Sequence, residues 1–424
     1  MQRRTFLFGA LAAAARAAAA DGPRLETFTD WKNAPVQTRR LALQPLVDRI
    51  RAMDDAIKAW VQVSPLRATN QDSQSLDGIP FGVKDIIETK GLATEYGSPI
   101  YKGRIGTEDA AIVRELRRRG GVLLGKTQST AFAYRTPAPT RNPRNLEHTP
   151  GGSSSGSAAA VAAGMVPLAL GTQTGGSVLR PASFCGVTGF KTTYGRLSMD
   201  GVFPFAKSLD TLGFFTHTAA DMRAFWYAMG ELEGGPEEFP LGAVDPMPDV
   251  EAPMAAAFSG ALSRLRAGGV TIRPVDLAGM LASLVDAQRT VMFYEGARVH
   301  EERYKEYGNR LADMADLVRE GSQIPASRYR DALDFIGECR GKVAALYKST
   351  PVILVPAATG PAPLGLGSTG DSRMNAPWTA LGTPAISIPM PVAKGLPLGL
   401  QLTADRGEDS RVIQTAMRLE RLLA

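Results

Sequence analysis

Apolar residues recur at intervals of three and four over residues 41–63 (LALQPLVDRIRAMDDAIKAWVQV), and this spacing predicts an amphipathic helix despite Pro45. Further along, short apolar runs alternate with helical, polar and glycine-rich segments. The pattern predicts strands at 80–83, 122–124 and 166–170, helices at 109–119 and 153–163, a loop at 134–152 and a tight glycine-rich turn at 171–177.

The remainder of the chain continues this alternation. Residues 220–348 have a mostly helical pattern, and strand signals return near the C-terminus, at 351–356, 384–390 and 397–403, before a closing helix at 409–423. Because strands and helices alternate without a long linker, we expect one α/β domain over residues 21–424, with a large mixed β-sheet flanked by helices.

The first twenty residues, MQRRTFLFGALAAAARAAAA, have a different pattern. Arg3 and Arg4 precede an apolar run over residues 5–15, which is too short to span a bilayer, and small residues at 18–20 offer a cleavage site. We expect residues 1–20 to be a twin-arginine export signal, and the mature protein to be periplasmic or secreted without stable membrane association. The alternative is an uncleaved amphipathic N-terminus.

The charge balance argues against a nucleic-acid partner. The chain of 424 residues has a formal net charge of +6, and loss of the three arginines in residues 1–20 would lower it to +3. Beyond RRR at 117–119, which reads as an exposed helix end, the mature chain has no block of basic residues and no nucleic-acid-binding motif.

Cysteine and histidine are scarce. Cys185 and Cys339 have no metal-ligand spacing, and three histidines make a histidine-rich metal site improbable, so we expect no metal and no cofactor. We expect two separate buried thiols, with a disulfide between them as the alternative.

Two short motif matches fail on their structural context. GGVLLGKT at 120–127 fits a phosphate-loop pattern, but the predicted helix precedes the glycines and a strand occupies the supposed loop. GSSSG at 152–156 fits a nucleophile elbow centred on Ser154, but the preceding segment is a proline-containing loop rather than a strand.

Four longer segments resemble the amidase signature family. They are GIPFGVKDIIETKG (78–91), GKTQSTAFA (125–133), GGSSSGSAAAVAAGMVPLALGTQTGGSVLRPASFCGVTGFKTTYGRLS (151–198) and GTPAISIPMPVAKGLPLGLQL (382–402). The resemblance runs from about residue 40 to the end and is weakest at 220–345. It implies the amidase signature fold and hydrolysis of amides by a Ser-Ser-Lys triad.

Transferred by position, the family's triad falls on three residues of this chain. Ser177 matches the nucleophile, Ser153 matches a bridging serine next to a cis peptide bond, and Lys84 matches the base. The resemblance also implies an oxyanion hole made by the backbone N–H groups of Thr174, Gly175, Gly176 and Ser177. The residues expected to support the triad are Ser154, Gln173, Arg180 and Lys126.

This set of residues makes chemical sense without the resemblance. A serine hydroxyl needs a neighbour that takes its proton, and a lysine can do so if burial keeps it neutral. A second serine can relay the proton because a hydroxyl both donates and accepts. Taken singly, however, Ser153 and Ser177 would more simply be helix caps and Lys84 a surface lysine.

The chain departs from the commonest family pattern. Gln173 stands where the family has aspartate, Ser155 where it has glycine, and Ala131 where relatives often carry glutamate. The family's arginine two residues after the nucleophile is replaced by Leu179, and the arginine of this chain, Arg180, comes one position later. We expect Arg180 to anchor the loop through backbone carbonyls, with binding of a substrate carboxylate as the alternative.

We therefore expect an amidase that cleaves the C–N bond of a linear carboxamide through an acyl-Ser177 intermediate and binds a small-molecule amide. The alternatives are a component of an amidotransferase that modifies misacylated tRNA and a non-catalytic binding protein of the same fold. Segments 290–340 and 358–380, including Met374 or Trp378, are candidates for the pocket wall. The oligomeric state stays open, with a homodimer as one option.

Overall fold

The computed structural model describes residues 24–64, 74–231 and 238–424. In these residues one mixed sheet of eleven strands forms the centre of the domain, in the order β1-β3-β2-β4-β6-β5-β10-β11-β9-β7-β8. The strands are β1 (Trp60–Val63), β2 (Pro80–Lys84), β3 (Val122–Thr127), β4 (Ala169–Gln173), β5 (Thr188–Lys191), β6 (Thr211–Thr216), β7 (Leu241–Val244), β8 (Ile272–Val275), β9 (Val352–Pro356), β10 (Ala385–Pro389) and β11 (Gly399–Ala404).

Helices pack around this sheet. Those of the described residues are α1 (Phe28–Asn33), α2 (Val36–Ile57), α3 (Ala111–Arg118), α4 (Ser155–Ala162), α5 (Leu179–Cys185), α6 (Ala219–Ala228), α7 (Ala252–Ala267), α8 (Ala278–Tyr307), α9 (Asp313–Ser322), α10 (Ala326–Tyr347), α11 (Ala376–Leu381) and α12 (Asp409–Leu423). The expected α/β domain with a large mixed sheet is confirmed.

The parallel part of the sheet positions the serine-rich segment. β2 pairs in parallel with both β3 and β4, so the carboxyl ends of these three strands lie at the same edge. The helix α4 packs against β2, β3 and β4, and its alanines from 158 to 160 are fully buried. Gly156 is needed there, because a Cβ at this position would lie 2.2 Å from the carbonyl oxygen of Ala59.

The predicted helix at 41–63 is wrong at its C-terminal end. The helix α2 ends at Ile57, and Lys58 adopts the left-handed conformation with φ of 57°. Residues 60–63 then form the edge strand β1, which pairs with β3. Trp60, Val61 and Val63 fit the apolar spacing of a helix, but aromatic and β-branched residues also favour a strand.

The predictions around the glycine-rich segment are shifted. The fourth strand covers Ala169–Gln173 rather than 166–170, so the first three of the seven residues of the expected turn at 171–177 are strand. Its polar residues are buried because their side chains bond to neighbouring segments, which the apolar pattern does not reveal. The helix expected over 153–163 begins at Ser155, and Gly164 follows it in the left-handed conformation.

The C-terminal predictions hold more closely. The strands β9, β10 and β11 and the helix α12 lie where the pattern places them. Two short strands, β7 and β8, interrupt the segment predicted to be mostly helical.

Cys185 and Cys339 are separate, buried thiols, as expected. Among residues 24–64, 74–231 and 238–424, no helix combines the length and apolar character that a membrane span requires. The export signal expected over residues 1–20 lies outside the described residues.

Candidate active site

Lys84 is the last residue of β2 and is completely buried. Its Nζ donates hydrogen bonds to the hydroxyl oxygen of Ser153 at 2.7 Å and to that of Thr172 at 2.9 Å. Burial lowers the pKa of Lys84 well below its usual range, and the negative charge of Asp210 partly opposes this effect. A neutral amine held against a serine hydroxyl can act as a base.

Thr172 was not predicted as a site residue. It lies in β4, next to β2 in the sheet, and its side chain is buried beside the lysine. In the sequence it is part of GTQTGG, which reads as a turn. The parallel pairing of β2 with β4 is the signal that would have placed it at the lysine.

The serines of residues 153–157 are all buried, and they use their hydroxyls in different ways. Ser153 follows a cis peptide bond with Gly152, as the resemblance implied. Ser154 shares hydrogen bonds of 3.3 Å with the backbone N–H and carbonyl of Thr172, and Ser155 donates to the carbonyl of Gly151. Among the described residues, no serine side chain makes a capping hydrogen bond to α4, so Ser153 does not act as its cap.

Ser177 lies in the turn between β4 and α5, on the wall of a cavity, and 9% of its surface is exposed. Its hydroxyl makes no hydrogen bond to the part of the chain that the structure describes, so it does not cap α5. The side-chain oxygen of Gln173 does so instead, accepting from the backbone N–H groups of Val178 and Leu179 at 2.9 and 3.1 Å. Ser177 is thus free for a ligand.

The loop before Ser177 is fixed through its carbonyl groups. The carbonyl of Thr174 accepts from Gln288 Nε2 at 2.8 Å, and that of Gly175 accepts from Thr379 Oγ1 at 2.7 Å. Within the described ranges, the N–H groups of Gly175, Gly176 and Ser177 have no hydrogen-bond partner. Free backbone donors beside a serine at a cavity are what an oxyanion hole requires.

Arg180 joins the two serine-bearing segments. Its Nε donates to the carbonyl of Thr369, and a terminal nitrogen donates to the carbonyl of Gly152, both at 2.7 Å. Burial lowers the pKa of Arg180 to about 10. Arg180 therefore bonds to backbone carbonyls, as expected of an anchoring residue, and it links the helix after Ser177 to the peptide before Ser153.

A cavity of about 560 Å³ opens at Ser177. Tyr134, Phe205 and Met292 form an apolar side, and residues 367–372 form a polar side. The segments 290–340 and 358–380 therefore do contribute to the wall. Met374 and Trp378, however, are not among the lining residues, and both are buried.

Lys126 has a separate position. It lies in β3, inside the sheet rather than in a phosphate-binding loop, and its Nζ donates to the carbonyl of Ile87 and to the hydroxyls of Thr89 and Thr94. Burial lowers its pKa to about 8. Lys126 therefore fixes the segment that follows Lys84.

The described residues contain no group of three or more His, Cys, Asp or Glu side chains that could hold a metal ion. His148, His217 and His300 are spread through the fold, and burial lowers the pKa of His300 to about 3. None of the three lines the cavity at Ser177.

Comparison with known proteins places this geometry in a family. The family model described as Amidase matches residues 42–237 and 231–413. The A subunit of the glutamyl-tRNA(Gln) amidotransferase of Roseiflexus sp. (strain RS-1) is 32% identical over 452 residues, which cover 91% of each chain.

Solved structures agree in fold and extent. A crystal structure of an amidase has a TM-score of 0.82 and 28% identity, covering 92% of this chain and 98% of its own. The A subunit of the glutamyl-tRNA(Gln) amidotransferase of Thermotoga maritima has a TM-score of 0.79 and 27% identity, covering 93% of each chain. The fold is the amidase signature fold, the protein is a hydrolase of C–N amide bonds, and the chain belongs to the amidase family.

Proposed function

We propose that this chain hydrolyses the C–N bond of a linear carboxamide in a small molecule, with Ser177 as nucleophile, Ser153 as proton relay and Lys84 as base. The proposal rests on the buried 2.7 Å hydrogen bond between Lys84 and Ser153, together with a cavity at which the Ser177 hydroxyl has no hydrogen-bond partner among the described residues. Ser154, Gln173 and Arg180 support these residues through the bonds described above.

The proposed reaction begins with proton transfer. A neutral Lys84 amine has one lone pair, so its hydrogen bond with Ser153 can reverse and take the proton of that hydroxyl. Ser153 then accepts the proton of Ser177, whose oxygen attacks the amide carbon. The negative charge that develops on the carbonyl oxygen would be stabilised by the free N–H groups of residues 175–177.

The second half of the reaction releases both products. The C–N bond breaks as the proton returns from Lys84 through Ser153 to the leaving nitrogen, which departs as ammonia or an amine. Water then attacks the acyl-Ser177 ester while the same base takes its proton. The ester bond breaks as that proton returns to the Ser177 oxygen, and the carboxylic acid leaves.

The test is a panel of aliphatic, aryl, amino acid and urea-like amides, with ammonia or amine release as the readout. We expect turnover of at least one class, and loss of at least about 10³-fold for Ser177→Ala. Ser183→Ala is the matched control, because this buried hydroxyl has no hydrogen-bond partner in the described part of the chain and lies in the adjacent helix α5. Turnover that survives in Ser177→Ala would contradict the assignment, and a folded chain inactive on every class would favour a non-catalytic binding protein.

A second candidate is favoured by the curated relatives. Proteins named as the A subunit of glutamyl-tRNA(Gln) amidotransferase are 29–32% identical over about nine-tenths of this chain. If this chain acted in the same way, it would release ammonia from glutamine and require misacylated tRNA and further subunits. Glutamine hydrolysis that rises on addition of glutamyl-tRNA(Gln) would support this function over that of a free-standing amidase.

We also propose that residues 1–20 direct export, and that the mature chain acts outside the cytoplasm. The paired arginines and the short apolar run support this proposal. An exported chain would be separated from tRNA, so export also favours the small-molecule amidase.

A further inference from the structure

Asp210 is a buried carboxylate that no motif singled out. It directly precedes β6, and its two oxygens accept three hydrogen bonds. Oδ1 accepts from the hydroxyl of Thr174 at 2.6 Å, and Oδ2 accepts from the backbone N–H groups of Phe205 and Ala206 at 2.8 and 3.0 Å.

These bonds connect two parts of the cavity wall. Thr174 begins the loop that leads to Ser177, and Phe205 lies on the apolar side of the cavity. One carboxylate therefore fixes the loop and the apolar side relative to each other. The carbonyl groups of the loop are fixed separately, through Gln288 and Thr379, so Asp210 is the group that holds the Thr174 side chain.

We propose that Asp210 is a positioning residue of the amide hydrolysis, which holds the oxyanion loop through Thr174 and places a negative charge near Lys84. This inference rests on the proposed function. Asp210 itself touches neither the substrate nor the reacting atoms.

Hydrogen bonds and electrostatics both connect Asp210 to Lys84. Thr172, whose hydroxyl accepts from Lys84, lies two residues before Thr174, whose hydroxyl donates to Asp210. Burial raises the pKa of Asp210 to about 6, although its three hydrogen bonds favour the charged form. Among the charges of the described residues, Asp210 is the one that acts on Lys84, and it opposes the effect of burial. Glu295 of α8 also acts on Asp210 and raises its pKa, and the Glu295 oxygens accept from Ser208 and Tyr329.

The experiment measures how fast a fluorophosphonate labels Ser177 across a range of pH, together with kcat on the best amide. For Asp210→Asn we expect both rates to fall about 10- to 100-fold, because a loosened loop weakens oxyanion stabilisation. The pH below which the labelling rate declines should also move downwards, because Lys84 loses a negative charge that favours its protonated form.

Thr174 provides the matched variants. Thr174→Val removes one of the three hydrogen bonds but keeps the Asp210 carboxylate with its two backbone bonds, so the rates should fall while the acid limb of the pH profile moves less than in Asp210→Asn. Thr174→Ser keeps the hydroxyl and should restore both rates to near the wild-type values. If Asp210 had a purely structural role, Asp210→Asn and Thr174→Val would both lower the rates, but they would not differ in the position of the acid limb.

Each outcome decides a different point. Wild-type labelling rates in Asp210→Asn at every pH would overturn the inference, and reduced rates with an unmoved acid limb would overturn its electrostatic half. If Asp210→Asn does not fold, Thr174→Val decides, because unchanged rates in that variant would overturn the positioning role. Absence of labelling in the wild-type protein at any pH would overturn the proposed function, and this inference with it.

Discussion

At the scale of single residues, the burial of Lys84 lowers the stability of the fold and also favours the neutral amine that the proposed reaction needs. Burial lowers its pKa, so the folded chain holds the proton of Lys84 less tightly than the unfolded chain, whose lysine is protonated below the ordinary lysine pKa near 10.5. The tighter binding of this proton by the unfolded chain therefore favours unfolding at pH values below the ordinary lysine pKa. The hydrogen bonds of Lys84 to Ser153 and Thr172 offset part of this loss of stability.

Replacing Lys84 with methionine should separate activity from stability. We expect Lys84→Met to lower kcat by about 10²–10⁴-fold, as the loss of a general base does. Its free energy of unfolding at pH 7 should be equal to or higher than that of the wild type, and the difference should shrink as the pH approaches the lysine value of 10.5. Urea denaturation near neutral pH and again near the lysine pKa measures this.

Lys191→Met is the matched control. Lys191 is also fully buried, burial lowers its pKa to about 7, and its Nζ donates to the carbonyl of Thr192, away from the cavity. Lys191→Met should keep the wild-type kcat, and its free energy of unfolding at pH 7 should also be equal to or higher than that of the wild type. Activity retained in Lys84→Met would point to another base.

The sequence supplied part of this residue-level picture. Lys84, Ser153 and Ser177 were assigned through long motifs, and the structure brings Lys84 and Ser153 into hydrogen-bonding contact. The catalytic roles stay predictions. Thr172 and Asp210 were not found, because a threonine in a glycine-rich segment and a lone aspartate before a strand carry no local signal. Only the pairing of distant strands and loops reveals them.

At the scale of elements, the turn between β4 and α5 depends on close packing as much as on flexibility. Asn375, at the start of α11, donates to the carbonyl of Ala357 and to the side chain of Gln401, which fixes its position. A Cβ at Gly176 would lie 2.5 Å from Asn375 Oδ1 and 3.0 Å from a nitrogen of Arg180. Because both neighbours are held by hydrogen bonds, the loop has no room for a side chain there.

Two adjacent glycines therefore make a matched pair. Gly176→Ala should lower the free energy of unfolding by about 1–3 kcal/mol, the usual effect of overpacking, and should displace the loop enough to reduce kcat. At Gly175 the nearest atom to a Cβ is 3.6 Å away, so Gly175→Ala should unfold within about 0.5 kcal/mol of the wild type. Equal losses of stability in the two variants, measured by urea denaturation, would contradict this account of the loop.

The element predictions failed where polar residues are buried or where two patterns overlap. Apolar periodicity located β9, β10, β11 and α12, whose buried faces follow the pattern. It displaced β4, because Thr172 and Gln173 are buried through hydrogen bonds rather than through apolar contacts. Apolar periodicity also assigned β1 to the preceding helix, because residues 60–63 fit both the helical and the strand pattern.

At the scale of the whole molecule, the sheet explains how residues far apart in the sequence meet. The strands β2 and β4 are parallel neighbours, so Lys84 and Thr172 lie at one edge, and the segment of Ser153 lies beside them. Arg180 then ties this segment to the turn of Ser177. The topology, rather than any one motif, creates the arrangement.

The whole-molecule prediction concerns where this arrangement operates. A fusion of residues 1–30 to a fluorescent reporter, in a bacterium with a twin-arginine pathway, should be exported, and cleavage should leave Asp21 as the first residue. Arg3→Lys with Arg4→Lys should block export although the charge is unchanged, because the pathway reads the arginine pair rather than its charge. Arg16→Lys, equally conservative but beyond the apolar run, should leave export intact. A reporter that stays in the cytoplasm in all three forms would contradict the export proposal, and it would strengthen the case for a component of an amidotransferase that meets tRNA inside the cell.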